Sequence, residues 1–177
     1  MSRQLIIYSP AGIVSAAAPV RRATKRLAAL GFDASVDASA LTKHQRFAGD
    51  DATRLDAIHR VADAAPAVAL ATRGGYGLSR LLDTLDWKRI SASVDKGTAW
   101  VGYSDVTALQ LAALAHKATG PAKPGEGVSA GFWAGPMACD DFGRDDSPEG
   151  GDDVTQDCFV EAMTGELEAV GFRTEVR

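Results

Sequence analysis

Cysteine is scarce in this chain. Cys139 and Cys158 are the only two in 177 residues, too few and too isolated for a disulfide framework or a zinc site. A reducing cytoplasm is the simplest home for such a sequence. Long hydrophobic runs are also missing. Nothing approaches the roughly 20 apolar residues that a membrane helix needs, and the N-terminus lacks the charged-then-hydrophobic order of an export signal. The chain therefore reads as soluble and cytoplasmic, with no membrane partner. Neither sign of charge dominates, because 19 basic residues stand against 23 acidic ones for a net charge of −4. No Lys/Arg stripe interleaved with aromatics appears, which argues against nucleic acid as a partner. Histidine is rare too, with His44, His59 and His116 the whole supply.

What is present is an ordinary globular composition, 46% hydrophobic, in a length that predicts one domain. Leu5–Tyr8 is a compact apolar run stopped by Ser9-Pro-Ala-Gly12. A helical pattern follows from Pro19, with Val20, Ala23, Leu27 and Leu30 on one face and Gly31 as its stop. Phe32–Val36 reads as a second strand, so the opening is a strand–helix–strand crossover and the sheet is expected to be parallel. Asp50–Ala64 predicts a second helix with Leu55, Ile58, Ala62 and Ala65 marking its buried face. Ala67–Thr72 predicts a third strand, Leu78–Leu85 a helix, and Trp87–Val94 another. Strands and helices in alternation give an α/β fold with a mostly parallel, doubly wound sheet flanked by helices.

Two stretches carry chemistry. From Ala99 to Tyr103 the chain is a short apolar run, suited to a strand buried on both faces. Beyond Ser104, Val106, Leu109, Ala113 and Leu114 fall on one helical face. Ser104 stands at the strand-to-helix joint, where a hydroxyl is lifted off the sheet and the unpaired amides of the helix point into the same space. Such a strand–Ser–helix elbow suits a nucleophile. A serine at this place also suits a helix N-cap, a task that Asp105 or Thr107 could share. The generic pattern G-x-S-x-G is half met, with Gly102 present and Val106 in the later glycine position.

The second stretch is Arg73-Gly-Gly-Tyr-Gly77, following a strand. Its glycines allow positive φ and close backbone approach to a ligand, or simply a flexible turn. It is neither a Walker loop nor a Rossmann fingerprint. Both stretches follow parallel strands, so both are expected on the rim at the carboxyl ends, where ligands bind. If those strands are neighbours, a backbone N–H from the Arg73–Gly77 loop and the amide of Asp105 would converge on one oxygen near Ser104, as an oxyanion hole.

The succession Tyr8-Ser-Pro-Ala-Gly12, Gly31-Phe32, Gly49-Asp-Asp-Ala-Thr-Arg-Leu55, Arg73-Gly-Gly-Tyr-Gly77, Leu81-Leu82 and Gly102-Tyr-Ser-Asp-Val-Thr-Ala-Leu109 resembles the N-terminal half of the LD-carboxypeptidases. That family includes muramoyltetrapeptide carboxypeptidases and microcin-C immunity hydrolases. Gly135-Pro-Met137 also looks familial. The resemblance implies a serine peptidase that needs no metal or other cofactor. Ser104 would be its nucleophile, and Asp105 with Gly74 or Gly75 would supply the oxyanion donors. The implied substrate is a cytoplasmic muropeptide of cell-wall recycling, cut between a diamino acid and a terminal D-alanine. A homodimer is implied as well, since family members are typically dimers. In the family, a Glu and a His from a C-terminal domain complete the triad. No matching segment occurs here, so residues 1–177 are read as the N-terminal nucleophile domain and are expected to be inactive or poor alone.

The three histidines do not replace that missing pair. His44 lies in a polar stretch, His59 flanks a buried helix face, and His116 is roughly 18 Å along the helix axis from Ser104 at about 1.5 Å per residue. Residues 120–127 read as loop and Val128–Ala134 as a strand, with Phe132 and Trp133 assigned to the core. Asp140, Asp141, Asp145, Asp146, Glu149, Asp152 and Asp153 form an acidic cluster, expected to be a solvated loop rather than a calcium site. Thr155 reads as the cap of a last helix through Met163. The alternative to an enzyme is a non-catalytic domain holding a small ligand or peptide at the same rim.

Overall fold

The computed structural model describes residues 3–118, 130–145 and 153–167. Five strands, β1 (Arg3–Tyr8), β2 (Phe32–Val36), β3 (Val68–Ala71), β4 (Ala99–Gly102) and β5 (Gly131–Ala134), form one sheet in the order β2-β1-β3-β4-β5. Every pairing is parallel. The central strands β3 and β4 are buried at every position, which is why they read as unbroken apolar runs without alternation. Among the described residues five α-helices accompany them: α1 (Ala17–Ala29), α2 (Asp51–Ala64), α3 (Trp87–Asp95), α4 (Val106–Ala115) and α5 (Asp153–Thr164).

The pleat sorts the core into two layers. Ala69, Ala71 and Trp100 pack with Ile58 and Val61 of α2, Ile90 of α3 and Leu109 of α4. Val68, Leu70, Ala99 and Val101 face the other way, onto Ala23 and Leu27 of α1 and Phe159 and Met163 of α5. This is the doubly wound α/β architecture expected from the alternation of elements.

Most element expectations hold, and the exceptions have physical reasons. Helix α1 begins at Ala17, before Pro19, which sits harmlessly in the first turn because its missing N–H has no intrahelical partner there. Helix α2 is capped by Asp50, whose carboxylate accepts the Thr53 N–H at 2.8 Å. Its buried face is Arg54, Ala57, Ile58, Val61 and Ala62, while Ala65 is the left-handed cap at φ 44°. The expected helix over Leu78–Leu85 is only a short 3-10 turn at Leu82–Thr84. Leu78, Leu81 and Leu85 are buried at helical spacing, but the chain turns extended at Leu85 to present Asp86 as the cap of α3. Leu114 is 63% exposed, so α4 buries only Val106, Leu109 and Ala113. Helix α5 starts at Asp153, which leaves Thr155 inside it rather than at its cap. Phe132 stacks against Trp100 at 6.1 Å between centroids, and Trp133 packs, half-buried, on the opposite layer. The loop expected at 120–127 lies outside the described residues, as do Val128 and Ser129.

One ion pair ties the end of β2 to α2. Asp37 accepts hydrogen bonds from the Arg60 guanidinium at 2.8 and 2.9 Å and from the backbone and hydroxyl of Ser39. Burial pushes the Asp37 carboxyl up, yet the bonds from Arg60 and Ser39 and the Arg60 charge outweigh it and hold the group below the usual range. A carboxyl lowered in the folded state contributes stability above its unfolded range and loses it as pH falls through the folded value. Asp37→Asn is therefore expected to cost roughly 1 kcal/mol at neutral pH, because the pair is partly solvated. Urea midpoints of parent and variant should converge in acid.

Candidate active site

The carboxyl ends of β1, β3 and β4 bring three short loops together. The Gly12 N–H donates to the Gly74 carbonyl at 3.1 Å. That approach requires glycine on both sides, since a Cβ at Gly12 would sit 2.6 Å from the Gly74 oxygen and one at Gly75 would sit 2.9 Å from the Gly12 Cα. Gly75 and Gly77 both have positive φ, at 128° and 99°. Gly74 turns instead toward the elbow. A Cβ there would lie 2.9 Å from the Ser104 Cβ, 3.0 Å from its Oγ and 3.4 Å from the Asp105 nitrogen. The glycine loop and Ser104 are thus in contact, as their places on the sheet predict.

Ser104 has φ 60°. A non-glycine residue in that region carries roughly 1–2 kcal/mol of local strain. The residue is exposed, and no side-chain cap closes the start of α4. The capping role open to Ser104 from the sequence is not how its hydroxyl is used, since that hydroxyl makes no hydrogen bond among the described residues. Asp105 is engaged elsewhere, accepting the Leu78 N–H at 3.2 Å and so fastening the end of the glycine loop to the elbow. The N–H groups of Gly74, Gly75 and Asp105 donate no hydrogen bond among the described residues. Ser9, at the end of β1, is the instructive contrast. It is buried, and its hydroxyl bonds the Ala40 carbonyl and the Thr72 hydroxyl, both at 2.7 Å.

Val106 explains how the elbow dispenses with its second glycine. Its methyl groups enter the core, and a Cβ at Gly102 would meet them at 3.0 and 3.1 Å. The space is made by the glycine two residues before Ser104, not by the one two residues after it.

The chain after β5 closes another side of the rim. Ala138–Phe142 forms one π-helical turn, docked by the Cys139 N–H on the Thr72 carbonyl at 2.7 Å. Here the acidic cluster departs from a solvated loop, because Asp140 and Asp141 are half-buried and Asp141 accepts the Met137 N–H at 2.7 Å. Asp145 pairs at the surface with Arg22, Asp153 opens α5, and Asp146, Glu149 and Asp152 lie outside the described residues. Burial pushes the Asp140 carboxyl up, opposed by the Arg73 charge and reinforced by Asp141. Burial, then Asp140, pushes the Cys139 thiol up to about 12, again against Arg73. That thiol is therefore protonated at neutral pH and unsuited to nucleophilic attack. Burial, then Asp141 and Asp140, also raises the Tyr103 phenol against the opposing charge of Arg144.

No imidazole joins Ser104. The His59 Nε2 accepts the Asp86 N–H at 3.0 Å, His116 stacks on Trp87 at 4.5 Å, and His44 forms an exposed backbone bridge with Phe47. The residue that sequence reasoning passed over is Arg54. It is fully buried, and its guanidinium donates to the Pro10 carbonyl at 3.1 Å and the Gly77 carbonyl at 3.0 Å, clamping two of the three loops. It stands in one of the segments that carry the resemblance, but a charged residue on a helix gives no sign of burial by itself.

No helix among the described residues is long and apolar enough to cross a membrane. The murein tetrapeptide carboxypeptidase of Pseudomonas aeruginosa is 30% identical over 131 residues, 71% of this chain and 41% of that protein. The crystal structure of muramoyltetrapeptide carboxypeptidase from Oxalobacter formigenes superposes with a TM-score of 0.71 at 30% identity, covering 91% of this chain and 48% of that one. The microcin C7 self-immunity protein MccF in complex with aspartyl sulfamoyl adenosine gives 0.76 at 20% identity, over 93% of this chain and 45% of that one, a likeness of fold. The chain spans less than half the length of each of these relatives. The family profile described as the LD-carboxypeptidase N-terminal domain, Peptidase S66, matches residues 5–120. With the glycine loop and the Ser104 elbow both inside the matched residues, the chain belongs to the LD-carboxypeptidase family.

Proposed function

We propose that this chain is the nucleophile-bearing domain of a serine-type LD-carboxypeptidase that releases the terminal D-alanine from muropeptide tetrapeptides during cytoplasmic cell-wall recycling. One observation carries the reading: an exposed Ser104, held at φ 60° with an uncommitted hydroxyl, lies against Gly74. The Ser104 Oγ attacks the scissile carbonyl, and its proton passes to a general base. The resulting oxyanion takes hydrogen bonds from the Asp105 amide and from that of Gly74 or Gly75, each worth about 3–4 kcal/mol in the transition state. Collapse expels the D-alanine amine, which takes up a proton, and leaves an ester on Ser104 for water to cleave. The reading needs an imidazole, oriented by a carboxylate, from a segment outside this domain, because the His59 and His116 rings are engaged elsewhere and the exposed His44 makes no contact with Ser104 among the described residues.

Covalent labelling by a fluorophosphonate probe, read by intact mass, tests this. Ser104 is expected to label when the chain is combined with the purified C-terminal domain of a relative, and not without it. Ser104→Ala should remove the adduct. Labelling of the lone chain would place a base within it. No adduct in a confirmed assembly would favour a domain that binds peptide without cleaving it.

A further inference from the structure

A carboxypeptidase must distinguish the last residue of a peptide from an internal one, and the group that differs is the free carboxylate. That carboxylate carbon lies only about 3–4 Å from the scissile carbonyl carbon, by the bond lengths between them. Its receptor must therefore stand within about one residue of the oxyanion site. Gly74 touches Ser104, and the residue before Gly74 is Arg73.

Arg73 is sparsely paired within the chain. It is half-buried at the point where β1 and β3 part to opposite sides, the switch point at which open α/β sheets take ligands. Its Nη1 makes one long bond to the Ile13 carbonyl, at 3.3 Å. Its Nε is buried without an acceptor, and no carboxylate among the described residues lies within the 4.0 Å of an ion pair. A buried, unsatisfied guanidinium N–H costs free energy, and at Arg73 no ion pair offsets it among the described residues. The other arginines near the loop have charged or aromatic partners, although the Arg54 Nε is likewise buried without an acceptor. Arg54 and Arg80 both bond Asp51, and Arg46 stands exposed over the rings of Phe47 and Tyr76.

We propose that Arg73 determines specificity by binding the free carboxylate at the departing end of the substrate, an inference that rests on the carboxypeptidase reading above. The planar guanidinium offers the carboxylate paired N–H donors, including the Nε that now has none. Asp140 feels the Arg73 charge but closes no ion pair with it, so no carboxylate among the described residues occupies the guanidinium.

The test compares a murein tetrapeptide bearing a free terminal carboxylate with the same peptide as its C-terminal amide. Binding is measured by calorimetry on the full chain assembled with the C-terminal domain of a relative, with Ser104→Ala in place to prevent turnover. The acid is expected to bind at least ten-fold tighter than the amide. Arg73→Gln should abolish that preference, and Arg73→Lys should restore part of it. A merely structural role for Arg73 would weaken both peptides alike. Equal binding of acid and amide by the parent, or a preference that survives Arg73→Gln, overturns the inference. Fluorophosphonate labelling of Ser104 in the otherwise unaltered chain judges the hydrolase reading separately, since that probe carries no carboxylate.

Discussion

Gly74→Ala is expected to slow labelling of Ser104 in the assembled protein by roughly 100-fold or more, the scale of losing one oxyanion donor. The new methyl carbon would stand 2.9 Å from the Ser104 Cβ and 3.0 Å from its Oγ, closer than carbon atoms approach without something moving. The loop cannot readily give way. One end is held by the Gly12–Gly74 hydrogen bond and the other by Leu78 on Asp105. Ser104 must therefore move, and it already occupies a strained backbone region at φ 60°, so the displacement falls on the reacting oxygen. Gly74 itself is not among the positive-φ glycines, which leaves contact with Ser104 as the source of the defect. The fold is accordingly expected to persist, with a thermal midpoint within a few degrees of the parent. A variant that labels at the parental rate would mean that Gly74 does not border the reaction.

The parts of this arrangement that were legible in the sequence are those written in runs and periods. β3 and β4 are unbroken apolar stretches because both faces are covered, and the change from run to helical period falls at Ser104. The contact between Gly74 and Ser104 followed from placing two loops on one rim of a parallel sheet. Conformation and charge burial were less legible. A φ of 60° is ordinarily written as glycine or asparagine, so a serine there announces nothing. Val106 departs from the generic elbow pattern, and the reason, the space at Gly102 that its methyl groups fill, is not visible in spacing. Leu78, Leu81 and Leu85 have helical spacing, yet the need to deliver Asp86 to α3 cuts the helix to one short turn. The Asp140 turn read as solvated loop because composition registers its charges and not the Cys139–Thr72 bond that draws it against the sheet.

Arg54 is where the largest stability effect is expected, and apolar periodicity is blind to it. Its Nη1 joins the Pro10 and Gly77 carbonyls, its Nη2 meets Asp51 at 2.5 Å, and the Phe47 ring lies 4.8 Å from the guanidinium carbon. Arg54→Met would keep much of the aliphatic volume while leaving two loop carbonyls without their donor and Asp51 with Arg80 alone. The expected loss is about 3 kcal/mol, the lower end for breaking a buried ionic contact, because Asp51 itself remains 41% exposed. Arg54→Lys should recover little of it, since a compact ammonium cannot span acceptors on two loops and a helix as a planar fork does. Urea unfolding of the three proteins measures this, and a Met variant within 1 kcal/mol of the parent would contradict the clamp. The consequence reaches the site. Pro10 leads into Gly12 and Gly77 closes the glycine loop, so releasing both carbonyls loosens the two backbones that position Gly74 on Ser104. Labelling of Ser104 should therefore fall in both variants even where the folded state remains fully populated.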